Sequence, residues 1–300
     1  MPTLKYHNGT AFIERTAKRY DGADFVDAAL KVRDGGAWVD VGASEDADAT
    51  AFLVASANDG DATISSAIND LVVALKASGV WTKCQAIYPF AGGTAAKHKW
   101  NLKDPRDLDA AFRIAWNGTL THNANGVASN GSTGYGDTRL NSRSGLTQYN
   151  AHLSCYVQSN SGAADVYEIG TADGSGGYFA LRARYTSDQK GSWMYTNPTT
   201  NAVAGSITDA RGFMIGSRRA NNDHELYQDG TGVTTNTATE SSQAPSETIT
   251  IGGVNFGFAV LAHSPRTIAF ASVGSGLTDT EVADYYTAVQ AFQTALSRQV

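Results

Sequence analysis

The chain has 300 residues, of which 42% are hydrophobic and 17% charged, and its net charge is −6. This length supports one large domain with its own core and a smaller one. The acidic balance and the lack of a basic run argue against nucleic-acid binding, and no apolar stretch approaches the roughly 20 residues that span a membrane. The first residues, MPTLKYHNG, lack the apolar segment of a signal peptide, so we expect synthesis in a cytoplasm without export by that route.

The first 41 residues repeat one pattern three times at intervals of 13 residues, beginning at Lys5, Lys18 and Lys31. Each unit contains an Asn-Gly or Asp-Gly pair, which predicts a hairpin because both residues readily take positive φ in a tight turn. The aromatic position of the pattern is occupied in turn by Phe12, Phe25 and Trp38. A hairpin of this size buries too little apolar surface to be stable alone, so we expect it to contact neighbouring copies, the rest of the chain or other subunits.

Residues 42–79 are expected to form a linker and a helix. The linker is acidic and rich in alanine, with a short strand predicted at residues 51–55. The helix is predicted over residues 65–79, with Ser65 or Ser66 as its N-cap, apolar side chains at helical spacing and a glycine at its end.

Residues 80–300 are predicted to form the main domain. Within it, residues 84–90 are a predicted strand, and residues 117–148, rich in Asn, Gly, Ser and Thr, are predicted long loops. From residue 150 onward, β-forming runs alternate with turn residues, and the roughly eight strand candidates favour two packed antiparallel sheets. The predicted fold class is therefore mainly β, an antiparallel sandwich with one or two flanking helices.

The chain ends in a predicted amphipathic helix that begins with a capping box formed by Thr278 and Glu281. Its apolar stripe, at helical spacing, consists of Val282, Tyr285, Tyr286, Val289, Phe292 and Leu296. We expect this stripe to be buried against the sandwich or against the helix at residues 65–79.

Cysteine, histidine and acidic residues show no metal or disulfide pattern. Cys84 and Cys155 lie in apolar, strand-like surroundings, and we expect two buried free thiols. The six histidines lack a paired spacing such as HxxxH, which argues against zinc. Asp165, Asp173 and Asp229 lie in or near turns without a dense run of aspartates. We therefore predict no cofactor, and calcium, which needs several oxygens at close range, is kept as the alternative.

Side chains suited to sugar recognition occur in the strand-rich part of the chain. Trp193 and Tyr195 are two residues apart on a predicted strand and are expected to share one face, where their rings could stack on a pyranose. The alternative is that this face belongs to the core or packs on a helix. Arg182 and Arg184 are expected to share a face in the same way, either facing solvent or lining the concave side of a sheet.

A polar loop at residues 221–224 adds Asn222 and Asp223 as ligand candidates, with a simple solvated turn as the alternative. Catalytic patterns are scarce. Glycosidases need two facing carboxylates, whereas Glu168 is the only acid deep in a strand-like run, and neither a GxSxG elbow nor a phosphate-binding glycine loop is present. We predict that the protein is not an enzyme, and a polysaccharide hydrolase is the alternative.

Several segments resemble known proteins. HELYQDGTGVTTNT resembles a strand–DG–strand hairpin, and TITIGG a strand ending in Ile-Gly, of concanavalin-A-like, laminin-G-like jelly-roll domains. The tail RTIAFASVGSGLTDTEVADYYTAVQAFQTALSRQV and the stretch IYPFAGGTAAKHKWNLKDPRD resemble the ending and the opening segment of such domains in bacteriophage structural proteins. The array at residues 5–41 resembles the DG-x-x-W-V repeats of phage tail, fibre and head-appendage proteins.

The resemblance implies a phage virion protein with a jelly-roll domain at residues 80–300 and an attachment segment at residues 1–41. The attachment residues would be Phe12, Phe25 and Trp38. Expected partners are other virion proteins, further copies of the chain in a trimer or dimer, and a host-surface polysaccharide. The function would be adhesion to host glycan or decoration of the particle; the alternative is a purely structural tail or capsid component that binds no ligand.

Overall fold

The computed structural model describes residues 45–300 apart from 162–164, 174–175, 197–201, 206 and 240–243, and from residues 1–44 it describes the backbone of six strands. The chain divides into two compact units, Met1–Ala47 and Asp48–Val300.

The first unit contains three two-stranded antiparallel pairs, as the repeated turns predict. They pair β1 (Thr3–His7) with β2 (Phe12–Thr16), β3 (Lys18–Tyr20) with β4 (Phe25–Asp27), and β5 (Leu30–Asp34) with β6 (Ala37–Val41). The three aromatic positions occupy equivalent places in the register, because each pairs with the residue five positions earlier. The side chains of Phe12, Phe25 and Trp38 lie outside the described part of the structure.

The second unit is a sandwich of two antiparallel sheets. Its strands are β7 (Cys84–Tyr88), β8 (Ala115–Asn117), β9 (Leu120–Asn123), β10 (Gly126–Ser129), β11 (Tyr135–Asn141), β12 (Ala151–Val157), β13 (Ile169–Ala172), β14 (Tyr178–Tyr185), β15 (Gln189–Thr196), β16 (Ala202–Ala204), β17 (Gly212–Ala220), β18 (Asp223–Gln228), β19 (Thr231–Asn236), β20 (Thr248–Ile251), β21 (Val254–Asn255), β22 (Val260–Leu261) and β23 (Thr267–Gly274). Sheet A has the order β19-β18-β17-β12-β23-β10-β9, with β7 also paired to β23. Sheet B has the order β16-β15-β14-β13-β20-β11-β8, with β21 beside β13 and β22 beside β21. The predicted mainly β, jelly-roll-type sandwich is confirmed.

Helices cover the outer face of sheet A. They are α1 (Ala47–Ala55), α2 (Ala62–Ala77), α3 (Val80–Lys83) and α5 (Asp279–Ala295), which share a buried apolar cluster with sheet A; α4 (Ala95–His98) and a 3-10 turn at Asp109–Ala111 lie outside this cluster. Because sheet A is covered on both faces, β12 is buried at every position: Leu153 and Cys155 face the inter-sheet core, whereas Tyr156 faces the helices. None of the described helices is both long enough and apolar enough to cross a membrane.

Helix α5 docks as its stripe predicts. The capping box between Thr278 and Glu281 is present. Tyr285 packs edge-on against Phe213 and Phe270 of sheet A, and Phe292 packs against Phe270 as well. The same buried cluster includes apolar residues of α2, so the stripe contacts both the sandwich and the earlier helix.

Two predictions before residue 80 are wrong. Residues 51–55 form part of α1 rather than a strand, because this alanine-rich segment buries one apolar side of a helix. Helix α2 begins one turn earlier than Ser65 or Ser66; its N-cap is Asp61, whose carboxylate accepts two backbone N–H groups at 3.0 Å. The helix belongs to the same compact unit as the sandwich.

The prediction of long loops at residues 117–148 is also wrong, since β9, β10 and β11 lie there in full. Strand β9 is an edge strand in which Leu120 and His122 are half-buried while Thr121 and Asn123 are exposed. Its polar composition therefore reflects a strand with one solvent-exposed face.

Both cysteines are free and buried, as predicted. They point to opposite sides of sheet A, Cys84 toward the helices and Cys155 toward the inter-sheet core. Burial raises the pKa of the Cys84 thiol to about 12, so it stays protonated at neutral pH.

Candidate functional site

The outer face of sheet B carries a group of aromatic side chains around one arginine, which we call the aromatic cluster. Side chains alternate along β14, so that Phe179 and Leu181 enter the inter-sheet core while Tyr178 and Arg182 point outward. The cluster consists of Tyr167, Tyr178, Arg182, Tyr185, Trp193, Phe256 and Phe258. It brings together β14, β15, the segment before β13 and the hairpin β21–β22.

Arg182 is the centre of the cluster. Its Cζ lies 4.0 Å from the ring centroid of Tyr167, 4.7 Å from that of Tyr185 and 5.4 Å from that of Trp193. Rings at these distances stabilise the guanidinium through cation–π attraction. One terminal nitrogen donates to the exposed carboxylate of Asp165 at 2.5 Å. The residue is only 8% exposed, and its Nε–H has no hydrogen-bond partner among the described residues.

The rings of the cluster differ in exposure: we call the buried rings its floor and the half-buried and exposed rings its rim. Trp193, 5% exposed, and Tyr167 are buried and meet edge to face at 5.6 Å. Tyr178 and Phe256 are half-buried and also meet edge to face, at 5.9 Å, while Phe258 at the hairpin tip is 78% exposed. The surface open to a ligand is therefore the rim rather than the tryptophan.

Burial also fixes the protonation state of the floor phenol, because it raises the pKa of Tyr167 far above neutral pH. A neutral phenol can both donate and accept a hydrogen bond.

The prediction that Trp193 and Tyr195 share a face is wrong. Phe179 pairs with Met194 and Tyr178 pairs with Thr196, which leaves Tyr195 as an extra residue in a β-bulge with a φ of 57°. The bulge turns Tyr195 into the inter-sheet core, where its ring stacks on Phe179 with centroids 4.3 Å apart. Tyr195 is therefore a core residue, as the alternative prediction stated.

The other predicted ligand residues lie apart from the cluster. Arg184 is half-buried and donates to Asp188 at 2.9 Å. Asn222 is exposed in the turn between β17 and β18 of sheet A, and Asp223 forms an ion pair with Arg219 at 2.8 Å. Of the six candidates, the structure brings together Trp193 and Arg182.

Sequence reasoning missed most of the rim. Tyr178 could have been found, because it stands four residues before Arg182 on one strand and therefore on the same face. Tyr167, Phe256 and Phe258 come from other segments, and only the packing of the β21–β22 hairpin beside β13 brings them close.

Glu168, the single acid deep in a strand-like run, is enclosed. Its carboxylate accepts from Arg266 at 2.7 Å, Ser264 at 2.9 Å and the backbone N–H of Ala183 at 2.6 Å. Both Glu168 and Arg266 are fully buried. This pair ties β14 to the segment that leads into β23, and the carboxylate does not face a cleft.

The aspartates considered for calcium lie apart and have their own partners. Asp165 binds Arg182, Asp173 accepts from the backbone of Gly177, and Asp229 accepts from the backbone of Phe213. Within the described ranges, no three His, Cys, Asp or Glu side chains come close enough together to hold a metal ion.

Comparison with known proteins gives distant structural likeness. No protein-family model matches the chain, and no curated protein matches it. Domain 4 of AbnA, a GH43 extracellular arabinanase from Geobacillus stearothermophilus solved with arabinotriose, is 16% identical; the match covers 68% of this chain and 98% of that domain, with a TM-score of 0.45.

The botulinum neurotoxin serotype D binding domain is 8% identical, with 69% of this chain and 52% of that chain covered and a TM-score of 0.48. A sialidase from Trypanosoma rangeli is 14% identical, with 74% and 39% covered and a TM-score of 0.47. This chain thus spans about half of the toxin domain and less of the sialidase. Likeness at this level assigns no activity to the chain.

Proposed function

We propose that the second unit binds glycan on the rim of the aromatic cluster. The observation that carries this proposal is a group of half-buried and exposed rings, Tyr178, Tyr185 and Phe258, in the same cluster as Arg182, whose Nε–H has no hydrogen-bond partner among the described residues. A pyranose offers apolar C–H faces to such rings and hydroxyls to polar groups beside them. Arg182 Nε would donate to a sugar oxygen, and the exposed carboxylate of Asp165 would accept from a hydroxyl.

A glycan array followed by titration calorimetry tests this proposal. Phe258→Ala and Tyr178→Ala should each weaken binding between about twofold and tenfold, since an aromatic contact contributes about 0.5–1.5 kcal/mol. Leu108→Ala is the matched control, because Leu108 is 51% exposed and lies outside the aromatic cluster. An array without any ligand would favour the alternative of a structural component that binds no ligand, and equal loss in all three variants would show that the aromatic cluster is not the binding site.

We also propose that the protein binds its glycan without cleaving it. Support comes from Glu168, whose carboxylate oxygens are all engaged in the interior. Release of reducing sugar from a polysaccharide that the protein binds would contradict this.

We further propose that the module acts on a phage particle, where the first unit attaches through Phe12, Phe25 and Trp38 to other virion proteins in a dimer or trimer. The support is the resemblance of the repeats to phage proteins and their equivalent register in the three hairpins. A truncated chain that begins at Glu45 keeps the whole second unit and should fold but fail to join particles. Normal incorporation of that chain would place attachment elsewhere.

A further inference from the structure

A cavity of about 410 Å³ lies beside the start of β15. Its polar lining consists of Lys190, Thr208, Asp209, Arg211, Gln228 and Asp229. These residues come from the start of β15, the segment before β17 and the end of β18, so both sheets contribute to it. None of them belongs to the aromatic cluster.

Lys190 enters this cavity from between the sheets. On β15 it shares a face with Ser192 and Met194, and Met194 lies in the inter-sheet core. Ser192 in turn packs opposite Gly216 of sheet A. The ammonium of Lys190 donates across the sandwich to the side-chain oxygen of Gln228, and the residue is 1% exposed.

The charge of this ammonium is not balanced by a direct contact. No carboxylate of the described residues lies within 4 Å of it, and Gln228 is its hydrogen-bond partner there. Asp209 is paired with Arg211 at 2.7 Å, and Asp229 accepts from the backbone of Phe213 at 2.7 Å. An ammonium has three donors, and burying one without an anion is costly. Burial accordingly lowers the pKa of Lys190.

We infer that the cavity binds a sugar acid, with the ligand carboxylate on the ammonium of Lys190. A single carboxylate matches the one buried cation, and the nearby Asp209 and Asp229 repel a dianion such as phosphate more strongly than a monoanion. Those carboxylates and the hydroxyl of Thr208 suit sugar hydroxyls, and the volume is within the range of small-molecule sites. This inference does not depend on glycan binding at the aromatic cluster.

Calorimetric titration of the full chain with D-glucuronate, D-glucose and inorganic phosphate tests it. Glucuronate and glucose differ in the group at C6, a carboxylate against a hydroxymethyl, so we expect glucuronate to bind at least about tenfold more tightly, the equivalent of one charge-assisted contact. Equal binding of the two sugars, or no binding of glucuronate, would overturn the inference. Phosphate binding as tight as that of glucuronate would make the cavity a general anion site and overturn the assignment of a sugar acid.

Two variants locate the contact. Lys190→Met should abolish the preference for glucuronate, whereas Lys97→Met should keep it; Lys97 also donates to one amide, that of Asn58 at 3.1 Å, but at another place. Gln228→Glu keeps the side-chain shape and supplies Lys190 with a carboxylate of its own, so it should also abolish the preference, even if Lys190→Met does not fold. Glucuronate binding to Gln228→Glu at the strength of the unaltered protein would overturn the inference. Phe258→Ala should leave this site unchanged, which separates it from the aromatic cluster.

Discussion

The two sheets of the sandwich differ in how far their outer faces are covered by other elements. The outer face of sheet A is covered: Phe213 and Phe270 pack against Tyr285 of α5, in a buried cluster that also includes residues of α2. Among the described residues, the outer face of sheet B carries the short β21–β22 hairpin, whose Phe258 is 78% exposed. Apolar side chains stabilise the fold where they are enclosed and can contact a ligand where they are open. The same residue type thus has different roles on the two faces.

The largest expected effect is on sheet A. Phe292→Ala removes a ring that is 2% exposed and should lower the free energy of unfolding by about 3–5 kcal/mol. Phe258→Ala on sheet B should change it by less than about 0.5 kcal/mol, since the ring is open to solvent. Urea denaturation of both variants measures the difference. Similar losses of unfolding free energy in the two variants would contradict the difference in burial between the two faces.

Charged residues beside sheet B should also differ in their contribution to stability, according to whether their ion pair is buried or reaches solvent. Glu168→Gln leaves the buried Arg266 without its counter-charge and should cost about 3 kcal/mol. Arg182→Met should cost far less, because the arginine pairs with one exposed carboxylate, but it should weaken glycan binding. Denaturation and titration of the same two variants check this, and a stable Glu168→Gln protein would show that the pair is dispensable.

Low pH should destabilise the fold through two buried histidines on the side of sheet A. Desolvation lowers the pKa of His152, on β12, to about 4 and that of His98, at the end of α4, to about 3. Unfolded histidine has a pKa of about 6.5, so below that pH the unfolded chain binds more protons than the folded one. The stability that the two histidines contribute is complete above pH 6.5 and is lost as the pH falls toward 4 and then 3.

At pH 5 we expect a loss on the order of 2 kcal/mol for each of the two histidines. Denaturation curves at pH 7 and pH 5 measure it, and His98→Gln should reduce the difference. A midpoint that does not change between the two pH values would contradict the burial of both rings.

The smallest predicted effect concerns which nitrogen of the His98 ring carries the proton. Its Nδ1 lies 3.1 Å from Nδ1 of His122, and its Nε2 accepts from the backbone N–H of Gly93 at 3.1 Å. Because the Gly93 N–H can only donate, the proton of His98 must be on Nδ1, which donates to His122. Nitrogen NMR shifts of the two rings should show these tautomers, and a protonated Nε2 in His98 would contradict them.

Local patterns in the sequence are sufficient to predict some elements. The capping box of Thr278 and Glu281 and the stripe that follows determine α5, because both the hydrogen bonds and the apolar contacts are set by spacing within one helix. The Asn-Gly and Asp-Gly pairs likewise predict the three N-terminal hairpins. The segment at residues 51–55 was misjudged because a short apolar run fits a strand as well as a buried helix.

The site depends on information that no local pattern contains. The bulge at Tyr195 reverses the face of that ring, and alternation along an ideal strand cannot anticipate an extra residue. Phe258 reaches the cluster through the pairing of β21 with β13, across more than 80 residues of chain. Arg182 was recognisable as a candidate, yet its place among three rings follows from tertiary packing alone.

The most direct test of the binding face is an NMR titration of the labelled protein with a glycan identified on the array. We predict that the Nε–H signal of Arg182 and the ring signals of Tyr178 and Phe258 shift on binding, while signals of Tyr285 and Phe292, which α5 buries against sheet A, stay unchanged. Shifts confined to the helix-covered side of sheet A, or a bound glycan that leaves Arg182 and the rim unperturbed, would contradict it.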